Sequence, residues 1–414
     1  MSMQSQQENP PTDPLDVSQE IMSFYPPVRQ HEKKSLKQFS QKHGFILVCI
    51  FFILLNWLLG ARSTQMMQLI SGFVILWLGI KFQVIVHELG HILMGLLTGR
   101  KLLSLCFGIW RYERTLTGLR WRTAHLPTGP GGFALMLPKH ICTQSESKIE
   151  EILFLLGGAL ANLLCAGFFF WLAESGVLSK WLETLTYLSA AFALFIGVVN
   201  LLPRIFSGWY TDGKQILLLL KKRKDSPADT VEKLSYLSLA GVRPRDWPAN
   251  EFFPVLADSL FKEQPFQVQY SHKLLQMVYA LDIGDQPLTD TCALWMAGHF
   301  AQIPDGQRQG VAYCMAGYAA QHWHSVELFV AWRAWCDNRA ALNLNPYYHF
   351  LDALHAWLLK DEQQTRYYIK KSRNAFSVLL SEADKNRLEE NLLRLESSIS
   401  TEKEGKIQNI VNSL

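Results

Sequence analysis

Four stretches of this chain are apolar over a length that suits a lipid bilayer, and all four lie in its first half. A hydrocarbon core of about 30 Å takes roughly 20 helical residues. The first stretch, Gly44–Gly60, has Asn56 as its only strongly polar member. The second, about Gln68–Thr98, is longer than a span needs and is interrupted by Lys81 and Gln83, so either it tilts and breaks or its early part lies at the interface. The third covers about Ile152–Ala173 and the fourth about Leu185–Leu202. Between the second and third the period changes. Leu102–Trp110 alternates loosely and Thr115–Leu126 is rich in Thr and Leu around Gly118, so a short β-hairpin insert is expected over about 102–138.

From about Lys224 the pattern becomes that of a water-soluble helical protein. Helical patches are expected at Ser271–Leu281, Leu288–Gln302, Val311–His322, Ser325–Leu342, Tyr347–Lys360, Asp361–Phe376 and Ser381–Ser397. The last sets Leu388, Leu392 and Leu395 on one face and is amphipathic. From about Gln307 the pairs recur at roughly 36 to 40 residues, near the period of stacked helical hairpins. A tetratricopeptide-like domain and ordinary helical packing both fit, because the Trp-Leu-Gly-Tyr signature is incomplete. The fold class expected is therefore mostly α: a multi-pass membrane bundle of about four spans over 44–222 with the β insert, and a cytosolic all-α domain over 223–414.

Charge sets the orientation. Arg29, Lys33, Lys34, Lys37 and Lys42 precede the first apolar stretch, Arg100, Lys101, Arg111, Arg114, Arg120 and Arg122 follow the second, and Lys221, Lys222, Arg223 and Lys224 follow the fourth. The opposite loops carry only Arg62 and Lys180. The positive-inside rule then puts both termini in the cytosol. No cleavable signal peptide is visible, and the polar, proline-bearing residues 1–43 read as a flexible cytosolic arm. Over 414 residues the net charge is only +4, with no dominant basic block, which speaks against a nucleic-acid partner. Seven cysteines without a CxxC pair fit a reduced, cytosol-facing setting.

The chemistry is concentrated in His87-Glu88-Leu89-Gly90-His91, an HExxH pattern inside the second apolar stretch. Histidines at i and i+4 share a helix face and can grip one metal ion, with the intervening Glu88 as base toward water. Ionisable groups at mid-bilayer cost roughly 2.5–3.5 kcal/mol on insertion scales, so a cluster of them reads as functional. A catalytic zinc wants three protein ligands. The best third candidate is Asp212 in Thr211-Asp212-Gly213, which by topology returns to the same cytosolic end; the same dipeptide is also the ordinary chemistry of a tight turn. The histidines of His322-Trp323-His324 read as surface or packing residues.

With these motifs in this order, residues 66–220 resemble the site-2 protease family of intramembrane zinc metalloproteases. HELGH matches the family's HExxH, Gly158-Ala-Leu-Ala-Asn162 its Gly-Pro-x-x-Asn type motif, and Asn200-Leu-Leu-Pro203 leading to Asp212-Gly213 its Asn-x-x-Pro and Asp-Gly. The resemblance implies His87, His91 and Asp212 as ligands of one catalytic Zn2+ and Glu88 as general base. It further implies that Asn162 lines the site and polarises the substrate carbonyl or the oxyanion. Thr128-Gly129-Pro130-Gly131-Gly132-Phe133 looks like the family's Gly-Gly-Tyr-Val loop, a β-hairpin dipping toward the membrane. Three departures stand out: Ala159 replaces the common proline, Lys214 follows Asp-Gly where a second glycine is frequent, and Asp212 lies twelve positions after Asn200.

The function expected is hydrolysis of a membrane-spanning or membrane-associated protein or peptide near the cytosolic face, in a bacterial plasma membrane. The cytosolic helices are expected to bind a protein partner. The alternative is a catalytically inactive membrane adaptor that keeps the fold and works through those helices.

Overall fold

The structure, a computed structural model, describes residues 21–27, 64–108, 110–123, 131–139, 148–206, 209–221, 227–248, 261–304, 307–336 and 345–413. The chain divides into two compact units, one built on residues 30–229 and one that takes residues 1–29 together with most of 230–414.

In the first unit the long apolar run forms one continuous helix, α1 (Thr64–Leu97), which Lys81 and Gln83 do not break. Apolar helix formers fill it, and a helix is the one open-chain conformation that satisfies its own backbone without water. Four strands follow: β1 (Lys101–Phe107), β2 (Trp110–Thr115), β3 (Gly118–Thr123) and β4 (Gly132–Leu137). They make an antiparallel sheet in the order β3-β2-β1-β4, with β1 and β4 packed on α1. The insert is thus a four-stranded sheet and not the short hairpin expected. Its second strand, Trp-Arg-Tyr-Glu-Arg-Thr, is charged like a loop, but Glu113 pairs with Arg111 (3.3 Å) and Arg122 (2.7 Å) on one sheet face. Cross-strand pairing of this kind cannot be seen in a linear pattern.

Two further apolar helices, α2 (Lys148–Glu174) and α3 (Lys180–Leu201), pack on α1 and on each other. Trp77–Leu97 of α1, α2 and α3 are each long and apolar enough to cross a membrane. Large apolar side chains face outward along them, including Leu93, Leu164, Phe168, Trp171 and Phe195. The first expected span, Gly44–Gly60, lies outside the described residues. After α3 a two-stranded ribbon, β5 (Ile205–Phe206) with β6 (Trp209–Tyr210), leads into α4 (Asp212–Lys221).

The second unit begins with α5 (Pro227–Leu239) and continues as helical hairpins: α6 (Phe266–Ile283) with α7 (Gln286–His299), α8 (Arg308–Gln321) with α9 (Val326–Arg333), and α10 (Asn345–Leu358) with α11 (Glu362–Asn374). A last helix, α12 (Glu382–Ser413), follows. The three hairpin turns share one construction. A left-handed residue, Gly284 (φ 78°), His324 (φ 48°) or Lys360 (φ 60°), is followed by an N-cap, Asp285, Ser325 or Asp361. Each cap side chain accepts the backbone N–H three residues on, at 2.9–3.1 Å. An Arg243–Asp282 pair, with Glu390 on the same guanidinium, ties the segment after α5 to α6 and α12. Residues 21–27 belong to this unit too: Phe24 is buried against Tyr318 and Trp323, so this part of the expected flexible arm is packed.

Candidate metal centre

His87, Glu88 and His91 lie in the last third of α1, where α2 comes unusually close. A Cβ on Gly90 would stand 2.3 Å from the carbonyl oxygen of Gly157, and one on Gly157 2.5 Å from that of Gly90. Glycines facing each other let the two backbones meet, as in membrane helix pairs generally. The next residue, Gly158, makes room for the imidazoles themselves: a methyl there would come within 2.5 Å of His91 Nε2 and 2.7 Å of His87 Nε2. Asn162 follows one helical turn later on the same face of α2.

Asp212 arrives from the other end of the unit. The twelve-residue link from Asn200 is taken up by the β5–β6 ribbon, which folds back on itself. Thr211 closes the ribbon: its backbone N–H donates to Arg204 O (3.1 Å) and its hydroxyl donates to Leu202 O (2.6 Å). The start of α4 then abuts the end of α3 so tightly that a Cβ on Gly213 would lie 1.8 Å from Leu201 O. Only glycine lets Asp212 take this place. The longer spacing of the third motif is therefore absorbed by a local hairpin. Asn200 turns back to donate to Ile196 O (3.1 Å) and does not join the cluster.

The three side chains converge. His87 Nε2 is 3.2 Å from His91 Nε2, and Asp212 Oδ2 is 3.1 Å from the first and 3.6 Å from the second. All three residues are buried. The tautomers follow from the opposite ring atoms. His91 Nδ1 donates to the backbone carbonyl of Phe154 (2.9 Å), which can only accept. His87 Nδ1 donates to Asn162 Oδ1 (2.8 Å). The orientation of that amide is fixed in turn, because Asn162 Nδ2 donates to both Gln83 O (3.0 Å) and Gln83 Oε1 (2.9 Å). With a proton on each Nδ1, both Nε2 atoms present lone pairs toward a buried carboxylate oxygen that receives no hydrogen bond.

Three lone-pair donors packed this closely repel one another unless a cation lies among them. The edges suit one: ligands at about 2.0–2.2 Å around a tetrahedral zinc stand roughly 3.3 Å apart. Among the described residues this is the one cluster of three or more potential ligands. His, His and carboxylate, with each imidazole anchored through its far nitrogen, is the donor set and the outer support of a catalytic zinc site.

Glu88 does not share the stripe of the ligands. It is buried beside the first residue of β4, where a Cβ on Gly132 would stand 2.8 Å from Glu88 Cγ and 3.0 Å from Glu88 Oε1. β4 is an edge strand of its sheet, so its outer side is unpaired among the described residues. The carboxylate thus lies against the end of an open strand edge.

The ligand set read from the motifs is brought together, but the role expected of Asn162 is not supported. Its amide is fully buried, with the oxygen committed to His87 and the nitrogen to Gln83, so neither faces a substrate carbonyl. It positions His87 instead. Ala159, in place of proline, is buried within an unbroken α2. Two contributors escaped sequence reasoning. Gln83 had a visible signal, since 83, 87 and 91 mark polar positions one turn apart in an apolar helix. The Phe154 carbonyl had none; its side chain is held under Arg100, which is paired with Glu151 at 2.6 Å.

Residues 75–179 match the model of peptidase family M50, the site-2 protease family. The match takes in His87, Glu88, His91 and Asn162, the sheet and α2, and stops before Asp212. No curated protein and no solved structure matches the chain. The family supports a membrane-embedded metallopeptidase, and three of its helices here have the length and apolarity for a membrane.

Proposed function

We propose that the chain is an intramembrane zinc metalloprotease that cuts a membrane-spanning or membrane-associated protein or peptide near the cytosolic face of a bacterial plasma membrane. The observation that carries the reading is the convergence of His87 Nε2, His91 Nε2 and Asp212 Oδ2 from two distant elements, with both imidazole tautomers set for metal.

A zinc held by these three residues would supply Lewis acidity, acidifying water and polarising a peptide carbonyl. The remaining chemistry falls to the chain. Glu88, one residue from His87 and off the ligand stripe, takes the proton of the attacking water on its carboxylate and returns it to the leaving nitrogen. Asn162 keeps the proton on His87 Nδ1 and so keeps the ring in its ligand orientation. A substrate entering as a helix has its peptide bonds shielded and must unwind first. The open edge of β4 beside Glu88 supports the view that the sheet receives it, pairing an extended substrate strand by β-addition.

Glu88→Gln tests the reading. The variant should keep its fold and about one zinc per chain while losing roughly 10²–10⁴-fold in turnover of a membrane-embedded substrate. Zinc retained with near wild-type turnover would remove Glu88 from the mechanism. A wild-type chain that holds no zinc would turn the reading toward a non-catalytic adaptor.

A further inference from the structure

Phe24 is an unexpected residue to find buried. It stands in a polar, proline-bearing stretch, and its neighbour Met22 is 68% exposed, yet Phe24 itself is only 3% exposed. Its ring lies against Tyr318 of α8 (centroids 5.8 Å apart) and against Trp323, just beyond that helix (5.3 Å). Its carbonyl oxygen accepts a hydrogen bond at 2.8 Å from Nε1 of Trp332, a wholly buried side chain of α9. Ile21 and Met22 are helical and the backbone turns at Ser23 and Phe24, with Phe24 N–H on Ile21 O (3.1 Å) and Tyr25 N–H on Met22 O (3.4 Å). Pro26 and Pro27 then end it.

We propose that Tyr318, Trp323 and Trp332 form a peptide-recognition pocket of the helical unit, specific for a short turn that carries a phenylalanine, and that residues 21–27 of this chain fill it in cis. The pocket divides its labour as peptide sites do. An aromatic cage takes one anchor ring, where most of the binding energy of such a contact resides. The Trp332 indole N–H reads a backbone carbonyl, which every residue offers, so selectivity falls on the anchor. The two prolines stiffen the chain directly after the anchor, which lowers the freedom lost on docking. With the segment withdrawn, the pocket would hold apolar rings facing water and a buried indole donor without an acceptor. Such a pocket takes a substitute, and a partner with a similar turn competes with the segment for it. Tethering in cis gives the segment a high effective concentration, so the pocket of the intact chain is filled by default.

The test uses the full chain in detergent and a fluorescent peptide of residues 17–30. The peptide should bind a Phe24→Ala chain about tenfold or more tighter than the wild-type chain, whose pocket is already filled. Adding Trp332→Phe, which keeps a ring and removes the donor, should weaken that binding by about tenfold. A peptide carrying Phe24→Ala should not bind. Should Phe24→Ala disturb folding, a protease site placed after Arg29 in an otherwise wild-type chain serves instead. Cut after folding, the fragment should stay bound and be displaced by excess peptide. Equal binding to the wild-type and Phe24→Ala chains overturns the proposal. So does the absence of peptide binding in both preparations while helical content is intact.

Discussion

His87 can offer Nε2 to a metal only while its Nδ1 keeps a proton, and that proton is held by a residue 75 positions away. Asn162 in turn can present its oxygen only because Gln83 takes up both hydrogens of its amide. The three side chains form a relay that ends at Nε2 of His87. Asn162→Ala should therefore weaken zinc binding by about 10–100-fold, and Gln83→Leu by a smaller factor in the same range. Because both act through one bond, the double variant should be no weaker than Asn162→Ala alone, as read by competition with a chelator. Full additivity would show that the two residues act separately. At this scale the sequence reading reached far: HExxH fixed His87, Glu88 and His91 as a group, and the third motif supplied Asp212. It gave Asn162 a position without a partner, and so assigned it to the substrate when the structure commits it to His87. Motifs record which residue stands where; they do not record where its hydrogen bonds go. The Phe154 carbonyl is the extreme case, since every residue has one.

The elements that bring these residues together depend on close backbone approaches. Gly213 at the α3–α4 junction is the most demanding. Gly213→Ala should push Asp212 out of reach, with zinc occupancy falling well below one per chain and a loss of roughly 1–3 kcal/mol or more in stability. Metal analysis and thermal unfolding in detergent read the two effects, and unchanged occupancy would mean that α4 can shift without moving its first residue. The α elements were legible because apolar runs and caps are local properties: α1, α2 and α3 fall on three of the four apolar stretches, and α12 shows its leucine face. The sheet was legible only in part. Gly118 and the flanking runs gave away strands, but β2 reads as polar because its charges are paired with those of β3 across the sheet. The link to Asp212 was legible only as a distance in sequence, and the ribbon that shortens it rests on two pairs of residues, Ile205 with Tyr210 and Phe206 with Trp209.

In the whole molecule the two units differ in solvent logic, one with apolar helices facing outward and one with hairpins closed on a buried aromatic core. The hairpin turns at Gly284, His324 and Lys360 are 40 and 36 residues apart, and of these two intervals only the second lies in the stretch from about Gln307 where a recurrence was expected. Phe24 belongs to the same compact unit as α8 and α9, so the N-terminal segment and the helical unit are expected on the same side of a membrane. Impermeant labelling of single cysteines introduced near residue 20 and near residue 380 should give the same sidedness, and the cytosolic side by the distribution of positive charge. Opposite sidedness would break the association of Phe24 with its pocket.

The central claim is that two helices and a ribbon hold one zinc between His87, His91 and Asp212. X-ray absorption at the zinc edge, on the detergent-purified chain and on Asp212→Ala, tests it most directly. The wild-type spectrum should fit two imidazoles with nitrogen and oxygen scatterers at about 2.0–2.2 Å, and the variant should lose either its zinc or one light ligand. A sulfur in the shell, or an Asp212→Ala spectrum identical to wild type at full occupancy, would contradict it.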